Sequence, residues 1–246
     1  MSRPSVGGRH ELGQNFLTDR KVLIRIAGLV PPGPVVELGA GDGALTARLA
    51  ERPEPVIAVE LDPRRADALH RRLGRKVRVV RCDMLRFRHD EPHHVVSNVP
   101  FGITTPVLRH LLGQRSWRTA VLLLQWEVAR KRAAVGGTTL LTAKWWPWYE
   151  FALAGRVPSA AFRPRPSVDG GLLVVRRRER ELVPHAERGA YQRLVTTAFS
   201  GDRLLPALRG LPGVRRWAAR EGVDQDTRPG RLTPEQWATL HHAAAR

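Results

Sequence analysis

The chain predicts an α/β fold: a mostly parallel sheet with helices on both faces, an antiparallel hairpin at its edge, and a small all-helical C-terminal domain. Three observations carry this. Short Val-rich apolar runs alternate with runs of helical period through the first 180 residues. The first such run ends in a glycine cluster. The strand signal then stops after the arginine-rich stretch 176–180. The expected domains are therefore 1–180 and 181–246.

The elements follow in order. Val35-Val36-Glu37-Leu38 reads as a short buried strand ending in glycines, and 44–52 continues at helical period. Residues 56–60 form a second strand. Asp62-Pro63 opens a helix, with Asp as N-cap and Pro in the first turn, where its missing N–H costs nothing. Residues 77–81, 95–98 and 120–125 read as the third, fourth and fifth strands, and Thr105-Pro106 as another cap-plus-proline helix start. Residues 150–156 and 171–177, joined by the Pro-rich segment 158–166, supply the edge hairpin. Residues 186–200 and 214–220 read as helices. Thr233-Pro234-Glu235-Gln236 has capping-box spacing and opens a last helix toward Ala244. Internal repeats and low-complexity tracts are absent.

A formal charge of +18 favours a polyanion, and nucleic acid is the usual one. An acidic membrane surface is the rival. No long basic amphipathic helix and no apolar run of spanning length supports it, so no membrane partner is expected. The sequence shows no apolar secretory segment after Met1-Ser2-Arg3-Pro4. Cys82 is the sole cysteine, which excludes an intramolecular disulfide and a cysteine-based zinc site and favours a reducing cytoplasm. A monomer is expected.

Gly39-Ala40-Gly41-Asp42-Gly43 lets the turn close and a ligand approach the backbone. The same glycines satisfy a dinucleotide fingerprint, and also a tight turn with no ligand. The second strand ends in Glu60, placed to accept from both ribose hydroxyls of a nucleoside, as an NAD enzyme would also arrange. The third ends in Cys82-Asp83-Met84: Asp83 can accept an adenine amine while Met84 and Leu61 cover the ring. Glu37, Asp42, Glu60 and Asp83 at consecutive strand ends make an acidic crevice in a basic protein. That suits a cationic nucleoside without a pyrophosphate, S-adenosylmethionine, better than NAD.

Asn98-Val99-Pro100-Phe101 is the most informative stretch. Asn98 and Asn15 are the only asparagines in a chain with 37 Arg against 4 Lys. Adenine N6 is a poor nucleophile because its lone pair is delocalised into the ring. Acceptors on both N–H groups, here the Asn98 side-chain oxygen and the Pro100 carbonyl, pull the amine toward tetrahedral geometry. Phe101 offers a face on which the base can stack. A base inside a duplex is inaccessible, so the target must be single-stranded or flipped. No general base is required, and orientation supplies most of the rate. The tetrad thus reads as an adenine N6-methyl-transfer site.

On these motifs the chain resembles the rRNA adenine N6-dimethyltransferases, and within them the macrolide-lincosamide-streptogramin (Erm) resistance branch of actinobacterial type. Gly13-Gln14-Asn15-Phe16-Leu17 resembles the family's N-terminal cofactor lid, Glu37 to Gly43 its glycine motif, and Asn98 to Phe101 its catalytic tetrad. Phe162-x-Pro164-x-Pro166-x-Val168-Asp169 resembles its post-catalytic loop. The resemblance spans 9–178 and implies a Rossmann-like class I methyltransferase sheet. It implies cofactor contacts at Asn15, Leu17, Gly39, Glu60, Asp83 and Asn98, and a target base covered by Phe162. It implies 23S rRNA, naked or in an assembly intermediate, as partner, with one or two methyls added. The tetrad ends in Phe where many relatives carry Tyr; stacking survives that change, but any role of a hydroxyl does not. Gln125-Trp126-Glu127-Val128-Ala129, Trp145-Trp146-Pro147-Trp148 and Val168-Asp169-Gly170-Gly171 are similar to the resistance branch. A housekeeping small-subunit (16S) rRNA dimethylase shares most motifs. A non-catalytic nucleic-acid-binding protein on the same fold would not need intact Asn98, Glu60 and Asp83.

Arg163 and Arg165 are candidate phosphate contacts, as are Arg176 to Arg178 and Arg180, because guanidinium forks match phosphate oxygens. His93-His94 and His241-His242 lack a third ligand at metal spacing. They read as exposed loop and helix-end residues, and no metal is assigned.

Overall fold

A computed structural model describes residues 15–245; Gly13 and Gln14 of the expected lid lie outside them. The chain forms β1 (Phe16–Leu17), α1 (Arg20–Gly28), β2 (Val35–Leu38), α2 (Ala44–Leu49), β3 (Val56–Glu60), α3 (Pro63–Leu73), β4 (Val77–Arg81) and β5 (His93–Asn98). Then come α4 (Thr104–Leu112), β6 (Trp117–Gln125), α5 (Trp126–Arg132), α6 (Leu140–Trp145), β7 (Tyr149–Val157), β8 (Phe162–Arg163) and β9 (Gly170–Arg177). The helices α7 (Arg188–Ala198), α8 (Leu204–Ala207), α9 (Val214–Glu221) and α10 (Pro234–Ala244) follow.

A seven-stranded sheet runs β4-β3-β2-β5-β6-β9-β7. The pairs β3–β4, β2–β3, β2–β5 and β5–β6 are parallel, and the antiparallel part is at the β7 edge, as the sequence predicts. The chain runs outward from β2 through β3 to β4, then returns to the other side of β2 as β5. Between β2 and β5 the order reverses, and the crevice at the carboxyl ends there is where such sheets bind ligands. β1 and β8 make a separate two-stranded ladder, Phe16 opposite Arg163 and Leu17 opposite Phe162.

Local chemistry sets the element boundaries. Asp62 caps α3 by accepting from Arg64 N (2.8 Å) and Arg65 N (3.2 Å), with Pro63 in the first turn. Thr233 and Gln236 close a reciprocal capping box on α10. The expected cap at Thr105 does not form: α4 begins at Thr104, Ile103 stands at the N-cap, and no side chain caps it. A short helical turn over Phe101–Ile103 leads directly into α4 and leaves Thr105 inside it.

By contact density the chain divides into two compact units. The first is the chain up to Ala129 with Leu153–Val175; the second is Arg130–Ala152 with the chain from Arg176. The chain passes between them three times, within α5, β7 and β9. In the first, β2 is buried along its whole length and the core joins it to Leu23, Ile26, Leu69, Val121 and Leu172. The second buries Trp148, Tyr191, Trp217 and Trp237. There the Tyr191 hydroxyl donates to Ala143 O (2.7 Å), and Trp148 meets Tyr191 edge-on at 5.5 Å. These tryptophans are core, as physics alone favours.

The histidine expectation needs correction. His93 and His94 are buried in β5, where Nδ1 of His93 pairs with Glu91 O and Nε2 of His94 with Pro32 O. Burial pushes both below the ordinary imidazole value. His241 is also buried and pairs with Glu187 (2.8 Å). Among the described residues no His, Cys, Asp or Glu cluster could hold a metal, and no helix is long and apolar enough to cross a membrane.

Candidate active site

The carboxyl ends of β2, β3, β4 and β5 open onto one cavity of about 460 Å³, within the range of small-ligand sites. The first unit supplies every lining residue. Asn15, Leu17, Gly39, Glu60, Leu61 and Asp83 all line it. So do Met84, Asn98, Pro100 and Phe101. The sequence spreads these ten positions over 87 residues; parallel strands bring them to one rim.

Backbone geometry explains the glycines. Gly39 has φ +75°, and a Cβ there would lie 2.5 Å from Met84 Cε. Gly41 has φ +55° and turns its N–H onto Glu60 Oε2 at 2.7 Å. Side chains are strained in that region, and a Cβ would push on the Met84 side chain at Gly39 and on the Phe16 ring at Gly41.

Glu60 is buried and doubly anchored. Its Oε2 accepts from Gly41 N, and its Oε1 from Asp62 N at 2.9 Å. The carboxylate thus ties the glycine turn to the start of α3, and each oxygen keeps a lone pair for a ligand hydroxyl. Asp83 Oδ1 accepts from Leu85 N (2.9 Å), which fixes the turn after β4. Leu61 is exposed at the rim, an apolar side chain beside a cavity that a flat ring could cover. Asp42 sits on the outer rim, paired with Arg65 at 3.3 Å, with its side chain 63% exposed. Arg65 also lies over the Phe16 ring, 4.8 Å from its centroid.

At the other side of the cavity, Asn98 Nδ2 donates to the Asn15 carbonyl at 2.8 Å. That bond sets the amide's orientation and leaves Oδ1 as the acceptor. The Pro100 carbonyl accepts from Ile103 N (3.0 Å) and keeps its second lone pair. Phe101 is half-buried at the cavity wall. Two acceptors and an aromatic face therefore share a wall with a buried acidic floor. Sequence reasoning missed the Asn98–Asn15 bond, because two residues 83 positions apart give no local signal.

Phe162 differs from what the resemblance implies. It is 0% exposed, held in β8 against β1, and it does not line the cavity. In this conformation it fills the core beside Gly170. The loop around it is fixed by Asp169, whose Oδ1 accepts from Ser159 N (2.8 Å) and Oδ2 from Arg156 Nε (2.7 Å). The Ser159 N–H, with Arg156, holds the Asp169 carboxyl below its ordinary range.

Arg163 and Arg165 are exposed and also serve their own loop. Arg163 Nη1 donates to Phe162 O (2.9 Å), and Arg165 Nε to Ser159 Oγ (3.0 Å). In the second unit, Arg177 lies over Tyr149 at 5.2 Å, and Arg178 pairs with Glu150 (2.9 Å) and donates to Trp146 O (2.9 Å).

A family described as ribosomal RNA adenine dimethylase matches residues 7–246. Mycinamicin-resistance protein MyrB of Micromonospora griseorubida is 55% identical over 250 residues, which is 98% of this chain and 80% of that protein. An rRNA adenine N-6-methyltransferase of Corynebacterium diphtheriae is 47% identical over 197 residues, 78% of each. A crystal structure of 23S rRNA methyltransferase ErmE matches with a TM-score of 0.86 at 34% identity, covering 94% of this chain and 100% of that one.

Proposed function

This chain belongs to the ribosomal RNA adenine dimethylase family, and on that premise we propose that it methylates N6 of one adenine in 23S rRNA and so confers macrolide-lincosamide-streptogramin B resistance. The observation that carries this is the Asn98 amide, turned by Asn15 so that its oxygen serves as acceptor on the wall of an acidic nucleoside-sized cavity. The names of MyrB and ErmE, similar over most of this chain, support the large-subunit target and resistance.

The cavity fits S-adenosylmethionine: among the described residues its charged lining is acidic, and one buried carboxylate oxygen, Glu37 Oε2, has no partner. When bound, S-adenosylmethionine supplies an electrophilic methyl on a positively charged sulfur. Glu60 would hold the ribose hydroxyls and Asp83 the adenine amine, with Leu61 and Met84 on the ring and Asn15, Leu17 and Gly39 along its path. Asn98 Oδ1 and the Pro100 carbonyl accept from the target amine and turn its lone pair outward. Phe101 stacks on the target base, and the N6 proton leaves to water after transfer. The lone Cys82 and the proposed rRNA target support a cytoplasmic location.

Expression in a macrolide-sensitive host tests the reading, with mass spectrometry of the rRNA nucleosides. We expect resistance and N6-methylated adenine at one 23S position, and the number of methyls is read directly. Methylation confined to 16S rRNA would establish the small-subunit function instead, and no methylation a non-catalytic protein.

Phe101→Tyr should retain most activity and Phe101→Ala lose much of it, since base–aromatic stacking contributes about 1–3 kcal/mol per base. Equal turnover of the alanine variant would mean that the base stacks elsewhere.

RNA affinity should fall steeply with salt. Neutralising about six phosphates of a largely paired hairpin gives a log–log slope of roughly −4 to −5. Arg163 and Arg165 each keep exposed guanidinium donors beyond their loop bonds. Alanine at either should lower the slope by about one if it touches phosphate. A loss by a constant factor at every salt concentration would assign them to holding the loop.

A further inference from the structure

Glu37 ends in a place where carboxylates are seldom left. It sits in β2, 2% exposed, and lines the cavity. Its Oε2 has no hydrogen-bond partner among the described residues. An unpaired buried oxygen carries the full cost of its lost hydration. Glu60, at the neighbouring strand end, has both oxygens met by backbone N–H groups.

Among the described residues the surroundings give Glu37 no cation. At its register the flanking strands place Ala58 and Val96. From α2 the nearby group is Thr46, whose hydroxyl favours the charged carboxylate but closes no hydrogen bond of normal geometry. Arg48 of the same helix is engaged with Glu51. Among the described residues the other titratable groups lining the cavity are Glu60, Asp42, Asp83 and Cys82. Arg65 and Arg72 both turn to Asp42 at the rim, Arg65 to its carboxylate and Arg72 to its carbonyl. The wall from Asn98 to Ile103 and the segment Asn15–Leu17 contribute no charged side chain.

We propose that Glu37 is the residue by which this site distinguishes the charged methyl donor from its neutral product: its unpartnered oxygen is answered only by positive charge in the cavity. The inference rests on the S-adenosylmethionine reading above. Burial is the largest influence on Glu37 and raises its carboxyl from 4.5 to about 8; Thr46 opposes the rise and the Glu60 charge adds to it. At neutral pH the ligand-free site therefore holds a proton on Glu37. Ligand cation in the cavity drives that proton into water. Methyl transfer forms the N6–C bond and breaks the S–C bond. The N6 proton leaves to water, the sulfur becomes an uncharged thioether, and Glu37 takes a proton back from water. The amino acid's ammonium is common to donor and product, so the difference between the two ligands isolates the sulfur's charge.

The test is calorimetry of S-adenosylmethionine and S-adenosylhomocysteine at pH 6, 7 and 8, in buffers of different ionisation enthalpy. Wild-type affinity for the donor should rise about tenfold per pH unit toward pH 8, with close to one proton released per ligand at pH 7. Affinity for the product should change far less. Glu37→Gln should abolish the slope and cut the donor-over-product preference at pH 8 about tenfold. A flat wild-type donor profile, or a Glu37→Gln variant that keeps slope and preference, overturns the proposal. Binding of neither ligand by the wild type overturns the cofactor reading itself. The wild-type proton count stands alone if Glu37→Gln fails to fold. Ligand-free stability supplies a second readout. The native state keeps a proton that the unfolded chain loses, so wild-type stability should fall as pH rises from about 4.5 to 8. Glu37→Gln should lack that component.

Discussion

Asn98→Ala is expected to reduce methyl transfer by on the order of 100- to 1000-fold, the range seen when one preorganised transition-state hydrogen bond is removed. In the proposed mechanism the amide oxygen acts on an amine whose lone pair is otherwise delocalised, so its contribution would be felt as the amine turns tetrahedral, more than in the ground state. Single-turnover transfer from S-adenosylmethionine to an RNA hairpin reads this directly. Cofactor affinity should change much less, because ribose and adenine are assigned to Glu60 and Asp83. Asn98→Asp is an informative companion. It keeps an acceptor, loses the Nδ2 donor to Asn15, and sets a carboxylate oxygen against the Asn15 carbonyl. It too should be strongly impaired, which separates possession of an acceptor from its correct aim. Turnover of Asn98→Ala within a few-fold of wild type would sink the acceptor mechanism.

Glu60→Ala is expected to weaken S-adenosylmethionine binding by on the order of 10- to 100-fold. A hydrogen bond to a charged group contributes roughly 1.5–3 kcal/mol, and water at the emptied position recovers part of the loss. The structure adds a second consequence. Glu60 holds Gly41 N–H and Asp62 N–H at once, so alanine also frees the glycine turn and the start of α3. The variant should therefore melt earlier without ligand. Glu60→Gln keeps one acceptor oxygen and should fall between. Wild-type cofactor affinity in Glu60→Ala would remove the residue from the ribose site, whatever its effect on melting.

Much of the sheet was legible because its signals are local. Val35–Leu38 and Val56–Glu60 appear as continuous apolar runs bounded by turn chemistry, and Asp62-Pro63 and the Thr233–Gln236 box mark their helices by side-chain type alone. The acidic residues at strand ends were legible for a related reason: a parallel sheet turns sequence rhythm into a common rim. What escaped reading depends on distant partners. A two-residue ladder between Phe16–Leu17 and Phe162–Arg163 has no periodicity to detect. His93 and His94 look like loop residues until β5 starts two positions earlier than its valines suggest and buries them. The Thr105-Pro106 pair imitates a helix start but lies inside a helix already begun by the turn at Phe101. The partners of Arg163 and Arg165 are carbonyls and a hydroxyl, which no pattern of residue types announces.

The bond from Asn98 to the Asn15 carbonyl has a pharmacological side. Among the described residues, the segment that orients the Asn98 amide is held by a ladder of two residue pairs, by Leu17 in the core, by Arg65 over the Phe16 ring, and by Thr18, whose N–H and hydroxyl reach Ala161 O. A compound that wedged between Phe16–Leu17 and Phe162–Arg163 would disarm Asn98 without resembling adenosine. Its selectivity over the host's many adenosine-binding enzymes would come from the shape of that seam.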